Sequence, residues 1–165
     1  MPETKTRTEA IEKLAKLING VGIAMLTTIT PEGDLHARPM ATQEVEFDGT
    51  LWFFTGASSP KVEHIEKDSR VNAAFSNPKD QVYVSVAGRA SLVRDRAKIE
   101  ELWNPSLEAW FKEGLDDPDL ALLKIDVDGA EYWDAPHSVV AHIAGFVKSK
   151  MGGEPNVGDN QKIDL

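Results

Sequence analysis

The chain has 165 residues, a net charge of −9 and no cysteine. A single domain of that length can bury a full core without covalent staples. The missing cysteines exclude disulfides, thiol catalysis and most zinc-site patterns. The excess of acid argues against a broad nucleic-acid surface, yet one small anion needs only two or three local cations. No apolar run nears the ~20 residues that span a bilayer. The first twenty residues also lack the apolar stretch of a secretory leader, so the expectation is a cytoplasmic protein.

Thr6 to Asn19 reads as a helix: Ile11, Leu14, Ala15 and Ile18 fall on one stripe. Thr6 and Glu9 have the form of a capping box, and Asn19-Gly20 is a stop. Val21 to Thr30 is a buried strand, Thr30-Pro31-Glu32-Gly33 a type I turn, and Leu35 to Val45 a returning strand. Asp48-Gly49 then predicts a hairpin into Leu51 to Thr55. A loop of small residues, Gly56 to Ser59, opens a short helix from Pro60-Lys61 to Asp68, with Val62 and Ile65 inward. Val71 to Phe75 and Gln81 to Val93 are strands, the second with Val82, Val84 and Val86 on one face. A helical region from Arg94-Asp95 is broken at Asn104-Pro105 before Leu107, Trp110 and Phe111, and Trp52, Trp103 and Trp110 read as core. Leu120 to Val127 and Ala130 to Trp133 predict a last hairpin across Asp128-Gly129.

Six or seven sequential antiparallel strands with few helices favour an α+β fold built on a closed or half-open barrel. Residues 1–145 make one domain, and the polar, Gly-rich segment 146–165 is a tail that is mobile or lies on a partner subunit.

The stretch from His36 to Lys61 carries the chemistry. Ser58, Ser59 and Lys61 converge at a helix N-terminus, where free N–H groups and the helix dipole favour an anion, and Arg38 on the preceding strand could close over it. This reads as a cofactor-phosphate cradle. His36, His64, His137 and His142 show no metal-ligand spacing, and His64 is expected to be exposed or capping. Asp116, Asp117 and Asp119 read as a solvated turn rather than a calcium loop.

The order and spacing of Arg38-Pro39-Met40, Phe53-Phe54-Thr55, Ser58-Ser59-Pro60-Lys61, His64-Ile65, Gln81-Val82 and Glu131-Tyr132-Trp133 resemble the pyridoxamine 5′-phosphate oxidase-like flavin-binding split barrels, in particular their bacterial general stress protein branch. The resemblance implies a six-stranded antiparallel split β-barrel of Greek-key type, a homodimer, and FMN in a groove between subunits. Carried over by position, it implies Arg38, Ser58, Ser59 and Lys61 at the flavin phosphate, with Pro39 and Met40 on the same strand. Phe54 and Thr55 would lie beside the ring and ribityl chain, Gln81 would reach the ring from the other subunit, and Trp133 would flank it.

The departures from that pattern are equally informative. Gln43 stands where a true oxidase places lysine, Pro60 where it places arginine, and Ile143 where a further arginine is expected. The substrate-phosphate positions fall on Ile99, Trp103 and Leu107, which cannot bind an anion by charge. The expectation is therefore a flavin-dependent oxidoreductase of the general stress type that is not a pyridoxamine phosphate oxidase, that acts on a small-molecule redox substrate or reductant, and that has no catalytic acid, base or metal of its own. The alternatives are a non-catalytic flavin-binding or stress-sensing module, or the same fold holding FAD, the deazaflavin F420 or haem.

Overall fold

A computed structural model describes residues 6–43, 45–134 and 159–165. Helix α1 (Arg7–Ile18) starts as its sequence requires: Thr6 Oγ1 accepts from Glu9 N at 3.3 Å, and Thr6 N donates to the Glu9 carboxylate at 3.0 Å. Its buried face, Ala10, Leu14 and Leu17, packs on the sheet. Strands β1 (Ile23–Ile29) and β2 (Leu35–Ala41) flank the expected turn, in which Gly33 N donates to the Thr30 carbonyl. Strand β3 (Thr50–Gly56), helix α2 (Pro60–Lys67), β4 (Arg70–Asn77) and β5 (Val82–Val93) follow. Asp68, just past α2, takes the Arg70 guanidinium and N–H, which hold its carboxyl down to about 2. That contribution to stability is present above the ordinary carboxylate range and is lost as pH falls toward 2. Helix α3 (Arg96–Leu102), capped by Asp95, leads through two 3-10 turns (Pro105–Ala109 and Gly114–Asp116) to β6 (Leu120–Asp134) and β7 (Asp159–Asp164).

The sheet is antiparallel, with strand order β2-β1-β4-β5-β6-β3 and β7 added on β6. Its end strands, β2 and β3, approach each other without pairing, so the six-stranded path curls into a barrel split along one seam. The interior holds Leu26, Met40, Phe53, Ala73, Val84, Leu123, Ile125 and Tyr132. A second apolar cluster lies on the other side of β3 and β6, where Phe54 and Leu122 meet Ile99 and Leu102 of α3 together with Leu107 and Phe111.

Three expectations are corrected here. Asp48-Gly49 is not a β2–β3 hairpin, because β3 pairs along its whole length with β6 (Thr50↔Asp126 to Gly56↔Leu120) at the far end of the sheet. Asp48 instead accepts from Thr50 N at 3.1 Å, and Gly49 takes φ +111°. Asp128-Gly129 does not turn either. β6 runs straight through it, and β5 opposite supplies a partner on both sides of the pair. The register passes from Ala87↔Gly129 to Gly88↔Val127, so Asp128 is the extra residue of a β-bulge. Two glycines make this possible. A Cβ on Gly88 would lie 2.5 Å from the Asp126 carbonyl oxygen, and one on Gly129 would lie 2.7 Å from that of Ile163. Finally, the C-terminal segment is not merely a tail: β7 pairs with the Gly129–Asp134 part of β6 and buries Ile163 in the barrel.

Since Gly88 faces backbone that cannot yield, Gly88→Ala is expected to destabilise the fold by roughly 1–3 kcal/mol. Gly22→Ala, which meets nothing within 4 Å, should stay within about 0.5 kcal/mol. Urea denaturation of the two variants checks the contrast.

Candidate functional site

Alternation along β2 places His36, Arg38 and Met40 on one side of the strand, opposite Thr28, Leu26 and Ala24 of β1. Helix α2 packs against β1, with Lys61 and His64 one turn apart. Four nitrogen-bearing side chains therefore gather where α2 meets the β1–β2 pair. Arg38 is half-buried: its Nη1 donates to the Leu26 carbonyl at 3.2 Å and its Nη2 to His36 Nδ1 at 3.2 Å. Lys61 Nζ donates to Thr55 Oγ1 at 3.1 Å and to Ser59 Oγ at 3.0 Å, and these hydroxyls lie 3.4 Å from each other.

Burial, and after it the positive charge of Arg38, push the Lys61 amine below its ordinary range; burial alone pushes the Arg38 guanidinium down. Among the described residues no carboxylate comes within 4.0 Å of either cation. Ser59 is the N-cap residue of α2 but makes no side-chain cap bond, so its hydroxyl stays with Lys61. Two cations, two hydroxyls and a helix start without a counter-ion have the chemistry of a candidate anion site.

The structure brings Arg38, Thr55, Ser59 and Lys61 of the candidate set together. Ser58 is engaged elsewhere: its N and Oγ both donate to the Asp119 carboxylate, at 2.9 and 2.8 Å, while Ala57 N donates to the Asp119 carbonyl. Asp119, expected in a solvated turn, thus clips the 56–59 loop in place. Gly56 allows the approach, since a Cβ there would lie 2.5 Å from Asp119 Oδ2. No local spacing could reveal a partner 61 positions away from Ser58.

Met40 is buried in the barrel, and Phe54 points into the second cluster, edge-on to Trp103 at 5.8 Å. Pro39 and Trp133 lie on the opposite, exposed face of the sheet, and Gln81, with φ +55°, immediately precedes β5. Among the described residues, no hydrogen bond, ion pair or ring contact joins Gln81 or Trp133 to Arg38 or Lys61.

His64 is buried rather than exposed, because it faces β1 and hydrogen-bonds Thr28 Oγ1 through Nδ1 at 2.9 Å. His36, Thr28 and Asp119 were not legible as site residues from spacing. Trp110, expected in the core, is 68% exposed. Trp110 N and Phe111 N both donate to the Leu107 carbonyl, and it is Leu107 and Phe111, four apart, that turn inward. His137, His142 and Ile143 lie outside the described residues, and among the described residues no cluster of metal-ligating side chains occurs. No helix among them is long and apolar enough to cross a membrane. A cavity of about 700 Å³ between the end of α1, residues 42, 43 and 45–47, and β3 is lined by none of the candidate site residues.

Residues 9–156 match the profile of the family described as pyridoxamine 5′-phosphate oxidase like. The chain belongs to that family. It is 28% identical over 157 residues to protein bli-3 of Neurospora crassa, covering 89% of this chain and 75% of that protein. It is 27% identical over 128 residues to general stress protein 26 of Bacillus subtilis, covering 75% of this chain and 88% of the relative. The solved structure of the general stress FMN/FAD binding protein from Xanthomonas citri superposes with a TM-score of 0.69 at 34% identity, covering 80% of this chain and 93% of the other. The barrel is thus the family's split barrel, and the relatives place the chain in its general stress branch.

The cradle carries a stability cost that a ligand would remove. A lysine whose amine is pushed down is penalised while protonated, and the penalty eases only as pH rises through its folded value toward the ordinary one. At pH 7, Lys61→Met is therefore expected to leave the melting temperature of the ligand-free protein unchanged or higher. Sulfate should raise the melting temperature of the parent protein but not of the variant, as scanning fluorimetry would show.

Proposed function

We propose that this protein is a flavin-binding oxidoreductase of the general stress type, holding FMN by its phosphate on Arg38, Lys61, Ser59 and Thr55. The observation that carries the reading is the uncompensated Arg38–Lys61 pair, with hydroxyls positioned and, among the described residues, no carboxylate within 4.0 Å of either cation. Its support from outside the chain is the family and a 34% identical relative described as an FMN/FAD binding protein. The residues present fit a phosphate monoester, since charge-assisted donors and hydroxyls are what a dianion requires. When bound, the flavin supplies the electron-transfer chemistry. The imidazoles of His36 and His64 lie beside the cradle, and the Asp119 carboxylate is taken up in holding Ser58. The chain's own work is to bind, orient and shield. FAD and F420 present comparable phosphate ends, and mass spectrometry of the released cofactor separates them from FMN.

Pyridoxamine phosphate is not the proposed substrate. Ile99 and Leu107 are buried in the second cluster and Trp103 packs edge-on against Phe54, so these positions serve packing and offer no charge.

The reading includes a homodimer. Ile23, Met25, Pro39, Ala74, Tyr83 and Trp133 share one face of the sheet, where register places Met25 beside Pro39 and Ala74, and Tyr83 beside Trp133. Met25, Tyr83 and Trp133 are 42%, 41% and 43% exposed, an apolar surface of the kind that marks an interface. A second copy on this face would bring Gln81 and Trp133, which lie apart from the cradle in one subunit, toward a flavin held by the other.

Titration with FMN and riboflavin tests the cradle. Arg38→Ala should weaken FMN binding by roughly 1.5–3 kcal/mol and leave riboflavin, which lacks the phosphate, unchanged. Equal FMN affinity in variant and parent would overturn the assignment. Sedimentation tests the assembly: Met25→Asp is expected to yield a monomer with reduced FMN retention. Turnover with NAD(P)H and small electron acceptors separates an enzyme from a flavin-storing module, because a bound flavin that never cycles indicates the latter.

A further inference from the structure

The direction of Arg38 depends on a side chain that no sequence motif marks. Its Nη1 is anchored on the Leu26 carbonyl and its Nη2 on His36 Nδ1. A guanidinium has donors only, so His36 Nδ1 must be the acceptor and its ring proton must be on Nε2. The His36 ring is in turn set against His64, whose centroid lies 6.0 Å away at a tilt of 56°. His64 is buried and fixed by Thr28, a residue with no exposed surface. A continuous chain of contacts therefore runs from the buried face of strand β1 through Thr28, His64 and His36 to the guanidinium.

We propose that His36 is a positioning residue of the anion site, turning the Arg38 guanidinium so that its remaining N–H groups face the Lys61 ammonium and the anion between them. The inference rests on the reading of the cradle as an anion site. Arg38 projects from an exposed stretch of β2, beside the half-buried Lys61, and the two charges repel. With only the Leu26 bond, the guanidinium could pivot away from Lys61 into solvent. The second bond, to His36, removes that freedom and pre-organises the donors before ligand arrives. His64 acts one step further back, as the wall that orients the His36 ring.

The test compares His36→Leu, which removes the acceptor, with His36→Asn, whose amide oxygen lies close to where Nδ1 was. The readouts are the ratio of FMN to riboflavin affinity and the rise in melting temperature produced by sulfate, an anion of constant charge. In His36→Leu the FMN-over-riboflavin preference is expected to fall about ten-fold, the size of one lost charge-assisted bond, and the sulfate response to shrink. His36→Asn should retain both, and neither variant should lower the melting temperature without ligand. If His36→Leu keeps the parent's preference and sulfate response, or if His36→Asn loses them equally, the role is overturned. If the parent binds sulfate but neither flavin, the flavin reading falls and the sulfate comparison alone decides the role of His36. A parent that binds neither sulfate nor flavin overturns both.

Discussion

Strand β6 is the constraint around which the chain is arranged. One edge pairs with β5 from Val82 to Val93, and the other is shared by β3 and β7 in succession. The bulge at Asp128 lies where that second edge passes from one partner to the other, and Val127 N and Leu165 N reach the Gly49 and Asp128 carbonyls across the junction. Moving β6 would displace both supports of the loop from Gly56 to Ser59. β3 delivers Thr55 at its end, and Asp119, one residue before β6 begins, holds Ala57 and Ser58.

The candidate anion site places charge where folding alone would not. Arg38 and Lys61 lie near each other without a carboxylate, and burial penalises both. Such an arrangement is a sign of binding rather than of stability, because a purely structural pair would carry a counter-ion. The hydroxyls of Thr55 and Ser59 soften the cost and keep the ammonium directed toward the helix start.

Much of this was legible in the sequence because it is local. The Thr6–Glu9 box, the alternation of Val82, Val84 and Val86, and the Gly-Ala-Ser-Ser-Pro entry into α2 each depend on neighbours within a few residues. Arg38 and Lys61 could be joined because a strand and a helix start were both readable and the family pattern linked them. Both Asp-Gly pairs were misread for one reason. The dipeptide signals a tight turn, but whether strands on either side pair with each other is settled by more distant partners, here β6 for β3 and β5 for β6. The Asp119 clip and the burial of His64 against Thr28 were hidden for the same cause, since each joins segments far apart in sequence. The apolar character of Ile163 was visible, but not that it would find the barrel.

The distance between β3 and its partner also bears on how the chain is made. Leu-Trp-Phe-Phe at 51–54 is among the most apolar stretches in the molecule, and every backbone bond it makes as a strand is to residues 120–126. A nascent chain must therefore carry this segment unpaired while about 64 further residues are added, roughly 3–13 s at ordinary translation rates. Its flanks, Asp48-Gly49 on one side and Gly56-Ala57-Ser58-Ser59-Pro60 on the other, are poor strand formers that limit how far an intruding chain could extend along it. The same loop that opens helix α2 beside Lys61 in the finished protein thus borders the segment most exposed to wrong pairing while the protein is being made.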